Sequence, residues 1–401
     1  MSNRFDCNEF IKKFSFPRLP GTDGERQAQE LIESELKALN IDQYTKESFV
    51  YTRFFMNFLL RIYSFLIGMQ MIILIMLLYF HAFYLVILLA FVLLITAFFS
   101  REIREKIQFK FTKVGKKRTS LNYVVEFPAK HKEKHKDKNQ NIVIFAHYDS
   151  ISMSFHPIFD GVIFFFSLVG GTLFSVHIIF ITALYILNII QSIEIIQFFY
   201  GFLLSGFYSL QIFNKRHNKS YGTADNATAV GNSFYCIDYF SKNPLENTNL
   251  IVVLTGAEEM GDYGADNFIK KHYTEYNISN TFFIISDTVG ANMETNLYAY
   301  AQGLPKKEYS PFIKNNIEEL LGTGQGSYKI KPLYIPPLIH FSTDHAPLKP
   351  FGYEFMIFLS NAPIHSEKDN INNYYPEMLD DFNSFLRDLI ILMDKNYKYK
   401  T

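Results

Sequence analysis

The stretch Asn249–Phe268, NLIVVLTGAEEMGDYGADNF, decides how the rest of the chain is read. Leu250–Leu254 is an unbroken apolar run containing three β-branched residues, which marks an interior strand, and Thr255 and Gly256 end it. Glu258 and Glu259 therefore stand at the carboxyl edge of a strand, where ligands bind in open α/β sheets. An adjacent pair of acids is by itself most simply a solvated turn. Its meaning depends on what other segments bring to the same edge.

Four other segments bring metal-ligand types of side chain. His147 ends the apolar run Ile142–Ala146, Asp287 closes Phe282–Ile285, and His365 follows Phe355–Leu359 shortly after its end. Together with Glu259, four strands each deliver an imidazole or a carboxylate at one edge. Asp225, in YGTADNATA (221–229), precedes a helix-like segment through Phe234, Tyr235 and Ile237, and a carboxylate there can bridge two cations. A further strand is expected at Leu121–Phe127, and Gly21–Asn40 has the capping residues and spacing of an amphipathic helix.

Composition bounds the partners. Lys plus Arg and Asp plus Glu number 39 each, so no global field attracts nucleic acid or an acidic substrate. Cys7 and Cys236, the two cysteines, define neither a disulfide framework nor a C-x-x-C site. Residues 1–50 are mixed and polar, without the pattern of a signal peptide.

The apolar excess, 42 Phe among it, is concentrated in two blocks. Between Phe54 and Ser100 the one charge is Arg61. Ile62–Phe80 and Ala82–Phe99 are each close to the about 20 residues that a bilayer span needs, which predicts a transmembrane hairpin turning near His81. Pro157–Phe213 carries only Asp160 and Glu194 and divides into spans near 161–183 and 192–213. Arg53, Arg101, Arg104, Lys106, Lys110, Lys113, Lys116, Lys117 and Arg118 flank the first block and Lys215, Arg216 and Lys219 the second, whereas the turns inside the blocks hold no Lys or Arg. Positive residues stay on the cytoplasmic side. The expectation is a multi-pass membrane protein whose polar parts, 1–53, 101–156 and 214–401, form one cytoplasmic domain interrupted by hairpins at 54–100 and 157–213.

Other signals read as ordinary. Lys130–Lys138, with His131 and His135, is a solvated loop that can touch anionic headgroups. Gly322–Gly326 is a turn, Glu318 and Glu319 lie on a polar helix face, and His81 and His177 serve packing or interhelical bonding. Asn218 and Asn277 begin sequons that stay unmodified in a cytoplasmic domain.

The assembled motifs resemble the co-catalytic di-zinc aminopeptidase family that includes bacterial leucyl aminopeptidases, glutamate carboxypeptidases and glutaminyl cyclases. The likeness runs in order through HYDS (147–150), TADNATA (223–229), GAEEMGDYGA (256–265), ISDTVG (285–290) and APIHSEKDN (362–370), and PRLPGTDG (17–24) is similar to the family's entry into its first helix. It implies an α/β fold with a mixed, mostly parallel sheet between helices. It implies two zinc ions, one held by His147 and Asp287 and the other by Glu259 and His365, with Asp225 bridging; the ligand set also tolerates cobalt or manganese. Glu258 would act as general base on a shared water and pass the proton to the leaving amine, and Asp149 would fix the tautomer of His147. Ser342–Leu348, STDHAPL, is similar to a pocket-lining loop and makes His345 a substrate-binding candidate.

Two departures stand out. The first Asp of the family's doubled pair is Ala224, and the usually short link from Asp149 to Asp225 contains the whole second apolar block. The function implied is a membrane-bound zinc aminopeptidase that acts on peptides released in or held near the bilayer. The alternatives are cyclase chemistry on one zinc, and a catalytically silent membrane scaffold with the same fold.

Overall fold

The structure is a computed structural model that describes residues 5–98, 114–131, 139–322, 328–336 and 342–397. Most of Lys130–Lys138, including His135, all of the Gly322–Gly326 turn after Gly322, and Arg101–Lys113 lie outside the described residues. The chain divides into two units. One comprises Met1–Tyr51, Lys117–Ser152 and His217–Thr401, and the other Thr52–Lys116 and Met153–Arg216.

The first unit is built on a nine-stranded sheet. Its strands are β1 (Thr45–Thr52), β2 (Lys117–Phe127), β3 (Gln140–His147), β4 (Thr248–Thr255), β5 (Thr281–Ser286), β6 (Asn296–Gln302), β7 (Lys307–Glu308), β8 (Ile330–Ile335) and β9 (Glu354–Leu359). The order across the sheet is β1-β2-β4-β3-β5-β9-β6-β8, with β7 against β6. The four central neighbours β4, β3, β5 and β9 run parallel; β2 and β6 join this block antiparallel. This is the mixed sheet between helices that the motifs imply.

Parallel strands covered on both faces read as continuous apolar runs, and all eight residues of β3 are buried. Alternate residues serve opposite cores. Ile142, Ile144 and Ala146 point to one face, where helices α1 (Cys7–Phe14), α2 (Asp23–Ala38), α7 (Thr228–Lys242), α9 (Pro311–Gly322) and α10 (Pro376–Asn396) contribute the packing. Val143 and Phe145 point to the other, against α8 (Tyr263–His272) and the turn Ala346–Phe351. Phe145 meets Phe268 edge-on at 5.4 Å, and burying a ring this fully stabilises by about 1.5–3 kcal/mol. α2 forms where the amphipathic spacing places it. Glu25 in its first turn reaches back to the Gly21 amide at 2.5 Å, in the manner of a capping box.

The second unit is helical: α3 (Leu60–Tyr79), α4 (Phe83–Phe98), α5 (Pro157–Ile186) and α6 (Tyr200–Leu210). The turn expected near His81 lies there. His81 takes φ 58° between α3 and α4, a left-handed conformation that His tolerates better than most residues, so neither Gly nor Pro is needed. Phe55–Tyr79, Val169–Ile186 and Ile195–Phe213 are long and apolar enough to cross a membrane, and Phe83–Thr96 is a shorter apolar helix. His177 and Tyr200 bond between helices at 2.9 Å.

Candidate metal centre

The site is assembled at the carboxyl edge of the four central parallel strands. His147 is the last residue of β3 and pairs in register with Thr255 of β4. Glu258 and Glu259 follow β4, Asp287 follows β5 directly with its amide bonded to the Phe358 carbonyl of β9 at 2.8 Å, and His365 follows β9. Asp225 comes in from the segment that leads into α7, and its peptide bond to Asn226 is cis.

These side chains form two clusters that share Asp225. His147, Asp225 and Asp287 make one, and Asp225, Glu259 and His365 the other, with the ligand-type atoms of each within 4.8 Å of one another. His147 Nε2 is 3.1 Å from Asp225 Oδ1 and 3.9 Å from Asp287 Oδ1. His365 Nε2 is 3.2 Å from both Asp225 Oδ2 and Glu259 Oε2. The two oxygens of Asp225 thus face different histidines, and the grouping coincides with the two ligand sets that the motif resemblance implies.

Electrostatics suit a cation. Burial pushes Glu259 up to about 7, with Asp225 adding to the rise and His365 opposing it. Glu258 is held well above the usual carboxylate range by burial, and Asp262, Glu259 and Asp344 add to this while His147 opposes. Asp225 is the exception. Burial would raise it, but the bonds from His147 and His365 hold it below the usual range. Glu259 Oε1 and Asp287 Oδ1 are buried with no hydrogen-bond partner. Leaving such an acceptor unmade costs about 1–3 kcal/mol, more when charged. A hard or borderline dication between these carboxylates and imidazoles would satisfy both orphaned oxygens and offset the crowding of negative charge, so the residues present fit zinc.

The loops that carry the ligands are held by neighbouring loops. Asp149 accepts the Glu258 amide at 3.1 Å and the Glu259 amide at 3.0 Å through its two oxygens. It meets His147 differently from the expected carboxylate contact: Nδ1 is 3.2 Å from the Asp149 carbonyl and 3.7 Å from its carboxylate. The carboxylate is already engaged by the two amides. Asn226 brackets Asp287, giving its Nδ2 hydrogen to the Ser286 carbonyl at 3.0 Å and accepting the Thr288 amide at 3.1 Å. Ala257, Asp262, Thr288 and His365 all take positive φ. Such backbone costs about 1–3 kcal/mol per residue and collects at functional sites.

His345 belongs to neither cluster. Its ring is fully buried, 5.3 Å from Phe355 and 6.2 Å from Tyr309. The preceding residue, Asp344, is the one whose charge reaches Glu258; its Oδ2 accepts the Thr255 hydroxyl at 2.5 Å, and burial pushes it up to about 7. The same loop motif, STDHAPL, contains both residues.

Arg18 is the largest fully buried side chain. Its guanidinium donates to the carbonyls of Tyr148, Phe14, Phe16, Tyr221 and Gly222. It ties the entry to α2 to the segments on which His147 and Asp225 stand.

Residues 208–390 match the model of peptidase family M28, a stretch that holds Asp225, Glu258, Glu259, Asp287 and His365. This match agrees with the resemblance read from the motifs. Among solved structures, a glutaminyl cyclase from an Acidobacteriales bacterium is similar at 11% identity and a TM-score of 0.55, over 98% of this chain and 97% of that one. A glutaminyl cyclase from Bacteroides thetaiotaomicron bound to N-acetylhistamine and a leucine aminopeptidase precursor from the same organism are each 12% identical, with TM-scores of 0.54 over 99% of both chains. At such identity the likeness speaks to the fold. A comparison with curated proteins gives no match. The family and the fold together support a zinc-peptidase-like or cyclase-like function.

Proposed function

We propose that the chain is a membrane-bound zinc aminopeptidase that removes N-terminal residues from peptides. The observation that carries this reading is the pair of three-residue clusters joined through Asp225. His147 and Asp287 would hold one zinc ion, Glu259 and His365 a second, and Asp225 both. Bound there, zinc would supply Lewis-acid polarisation of the scissile carbonyl and of a water nucleophile.

The protein's own groups do the rest. Glu258, adjacent to a ligand and outside both clusters, takes the proton of the attacking water and delivers it to the leaving amine nitrogen. Asp149 keeps Glu258 in place by gripping its amide. The apolar blocks at 54–100 and 157–213 are read as transmembrane hairpins, and the positive flanks put the polar domain, formed by 1–53, 101–156 and 214–401, on the cytoplasmic side. A cysteine introduced at exposed Lys37 tests this side. Cys7 and Cys236 are buried, so they add little background. Labelling of intact cells by an impermeant reagent would contradict the orientation.

The test of activity uses the detergent-purified chain with a panel of free-amine and N-blocked peptides, with and without chelator. Release of N-terminal amino acids from the free-amine set alone, abolished by chelator, is expected. Glu258→Gln should retain metal and lose about 10²–10⁴-fold in turnover; an active variant would remove Glu258 from its role. The second reading, cyclase chemistry on one zinc, is favoured by the likeness to two solved glutaminyl cyclases. A pyroglutamyl product from peptides beginning with Gln, and one zinc per chain, would select it.

A further inference from the structure

Each clasp that holds a ligand loop follows a ligand closely in sequence and reaches a different ligand's backbone. Asp149 stands two residues after His147 and holds Glu258 and Glu259; Asn226 stands one after Asp225 and holds the two residues flanking Asp287. Asp369, four residues after His365, completes the series. Its Oδ1 accepts the Ala224 amide at 2.6 Å, and its Oδ2 accepts the Asp225 amide and the Ser220 hydroxyl, each at 3.3 Å. Ser220 Oγ in turn accepts the Gly222 amide at 3.1 Å. The carboxylate is fully buried, and the five hydrogen bonds of nearby Arg18 all go to main-chain carbonyls.

We infer that Asp369 is a positioning residue for the bridging ligand Asp225. The inference rests on the metal-centre reading above. The segment His365–Asp369 holds Asp225 from both ends: His365 Nε2 faces its side chain at 3.2 Å, and Asp369 fixes its main chain. With both oxygens engaged by amides, Asp369 is not itself a ligand. A carboxylate is acceptor-only and can serve two adjacent N–H groups at once, whereas an amide offers one oxygen and turns its NH2 against the second N–H. The separation between the two metal subsites depends on where Asp225 places its two oxygens, and this clasp sets that place. Partners that orient ligands in this way are worth about 10–100-fold in metal affinity.

The test uses the full chain in detergent, stripped with chelator and reloaded with zinc or cobalt. Asp369→Asn should weaken zinc binding about 10- to 100-fold in a competition titration and shift the visible spectrum of the cobalt form, a change read apart from the melting of the metal-free protein, which the unmet buried amide also lowers. Asp369→Glu, which keeps both acceptors, should recover part of the affinity. Wild-type affinity and an unaltered cobalt spectrum in Asp369→Asn would overturn the inference. Should Asp369→Asn fail to fold, Ser220→Ala decides: it removes one of the three partners, so a shifted cobalt spectrum at unchanged melting supports the role and a wild-type spectrum overturns it. A wild-type chain that takes up no metal would refute the metal-centre reading itself. A wild-type chain that loads beside an unaltered Asp369→Asn refutes only the part given to Asp369.

Discussion

Replacing Arg18 by Met keeps the apolar stem of the side chain and removes all five donors. Three of the bonds lost are fully buried, to the carbonyls of Phe14 (2.5 Å), Tyr148 (2.8 Å) and Gly222 (2.8 Å). Those to Phe16 and Tyr221, both 2.9 Å, are partly buried, and water can replace them. A hydrogen bond from a charged donor is worth about 1.5–3 kcal/mol, so the three together contribute about 4.5–9 kcal/mol; the Tyr148 carbonyl is left without a donor, while the Phe14 and Gly222 carbonyls keep the amides of Phe16 (3.1 Å) and Ala227 (2.9 Å). Against this, the variant no longer buries a guanidinium, whose desolvation costs several kcal/mol; the strain is visible in Arg18 itself, pulled down to about 10 by burial despite the carboxylates around it. The net expectation is a loss of about 3–5 kcal/mol, at the upper end for a single substitution. Arg18→Lys keeps the charge but has three donors for five acceptors, and should fall between. The chain has no Trp, so urea unfolding in detergent is best followed by far-UV circular dichroism. Unfolding of Arg18→Met within about 1 kcal/mol of wild type would refute the reasoning, because it would mean that the carbonyls find other donors at no cost.

Two further predictions concern single contacts. Gly222 takes φ 59°, and a Cβ there would lie 2.4 Å from Ser150 Cβ and 2.7 Å from Arg18 Nη2; Gly222→Ala should destabilise by more than the about 1 kcal/mol of the backbone term alone and weaken metal retention, as thermal melting and zinc titration would read. His272 lies between Glu47 (2.7 Å) and Glu275 (2.5 Å); burial would lower it, but the two carboxylates raise it above its ordinary 6.5. A raised folded value means stability that is full below the unfolded value of about 6.5 and lost as pH climbs through the folded one. The stability difference between wild type and Glu47→Gln should therefore shrink with rising pH across that window and keep a remainder from Lys271, whose Nζ is 2.7 Å from Glu47. A difference that grows with pH would contradict this.

The central strands were legible because burial on both faces leaves uninterrupted apolar runs, and the ligands other than Asp225 because each stands at or shortly after the end of such a run. Leu121–Phe127, Ile142–Ala146, Leu250–Leu254, Phe282–Ile285 and Phe355–Leu359 all lie inside observed strands. The outer strands gave a weaker signal. β1, TKESFVYT, shows one face to solvent and carries charge at Lys46 and Glu47, so its pattern resembles a loop as much as a strand. The amphipathic α10 has helical spacing in Met378, Leu379, Phe382 and Leu386, yet holds no motif residue to draw notice. Arg18 and Asp369 lie inside the quoted motifs PRLPGTDG and APIHSEKDN, but their roles left no signal, for a different cause. Their distant main-chain partners lie 130 to 204 residues away, and hydrogen bonds to a backbone leave no imprint on the identity of the residue bonded.

Metal content after reconstitution tests the centre most directly. The detergent-purified chain, stripped with chelator, reloaded with zinc and freed of excess, is to be analysed by plasma mass spectrometry beside Asp225→Ala. Two zinc ions per wild-type chain, with both held far more weakly once the shared carboxylate is gone, are expected. Wild-type protein that retains no stoichiometric metal would contradict the assignment of His147, Asp225, Glu259, Asp287 and His365 as a ligand set.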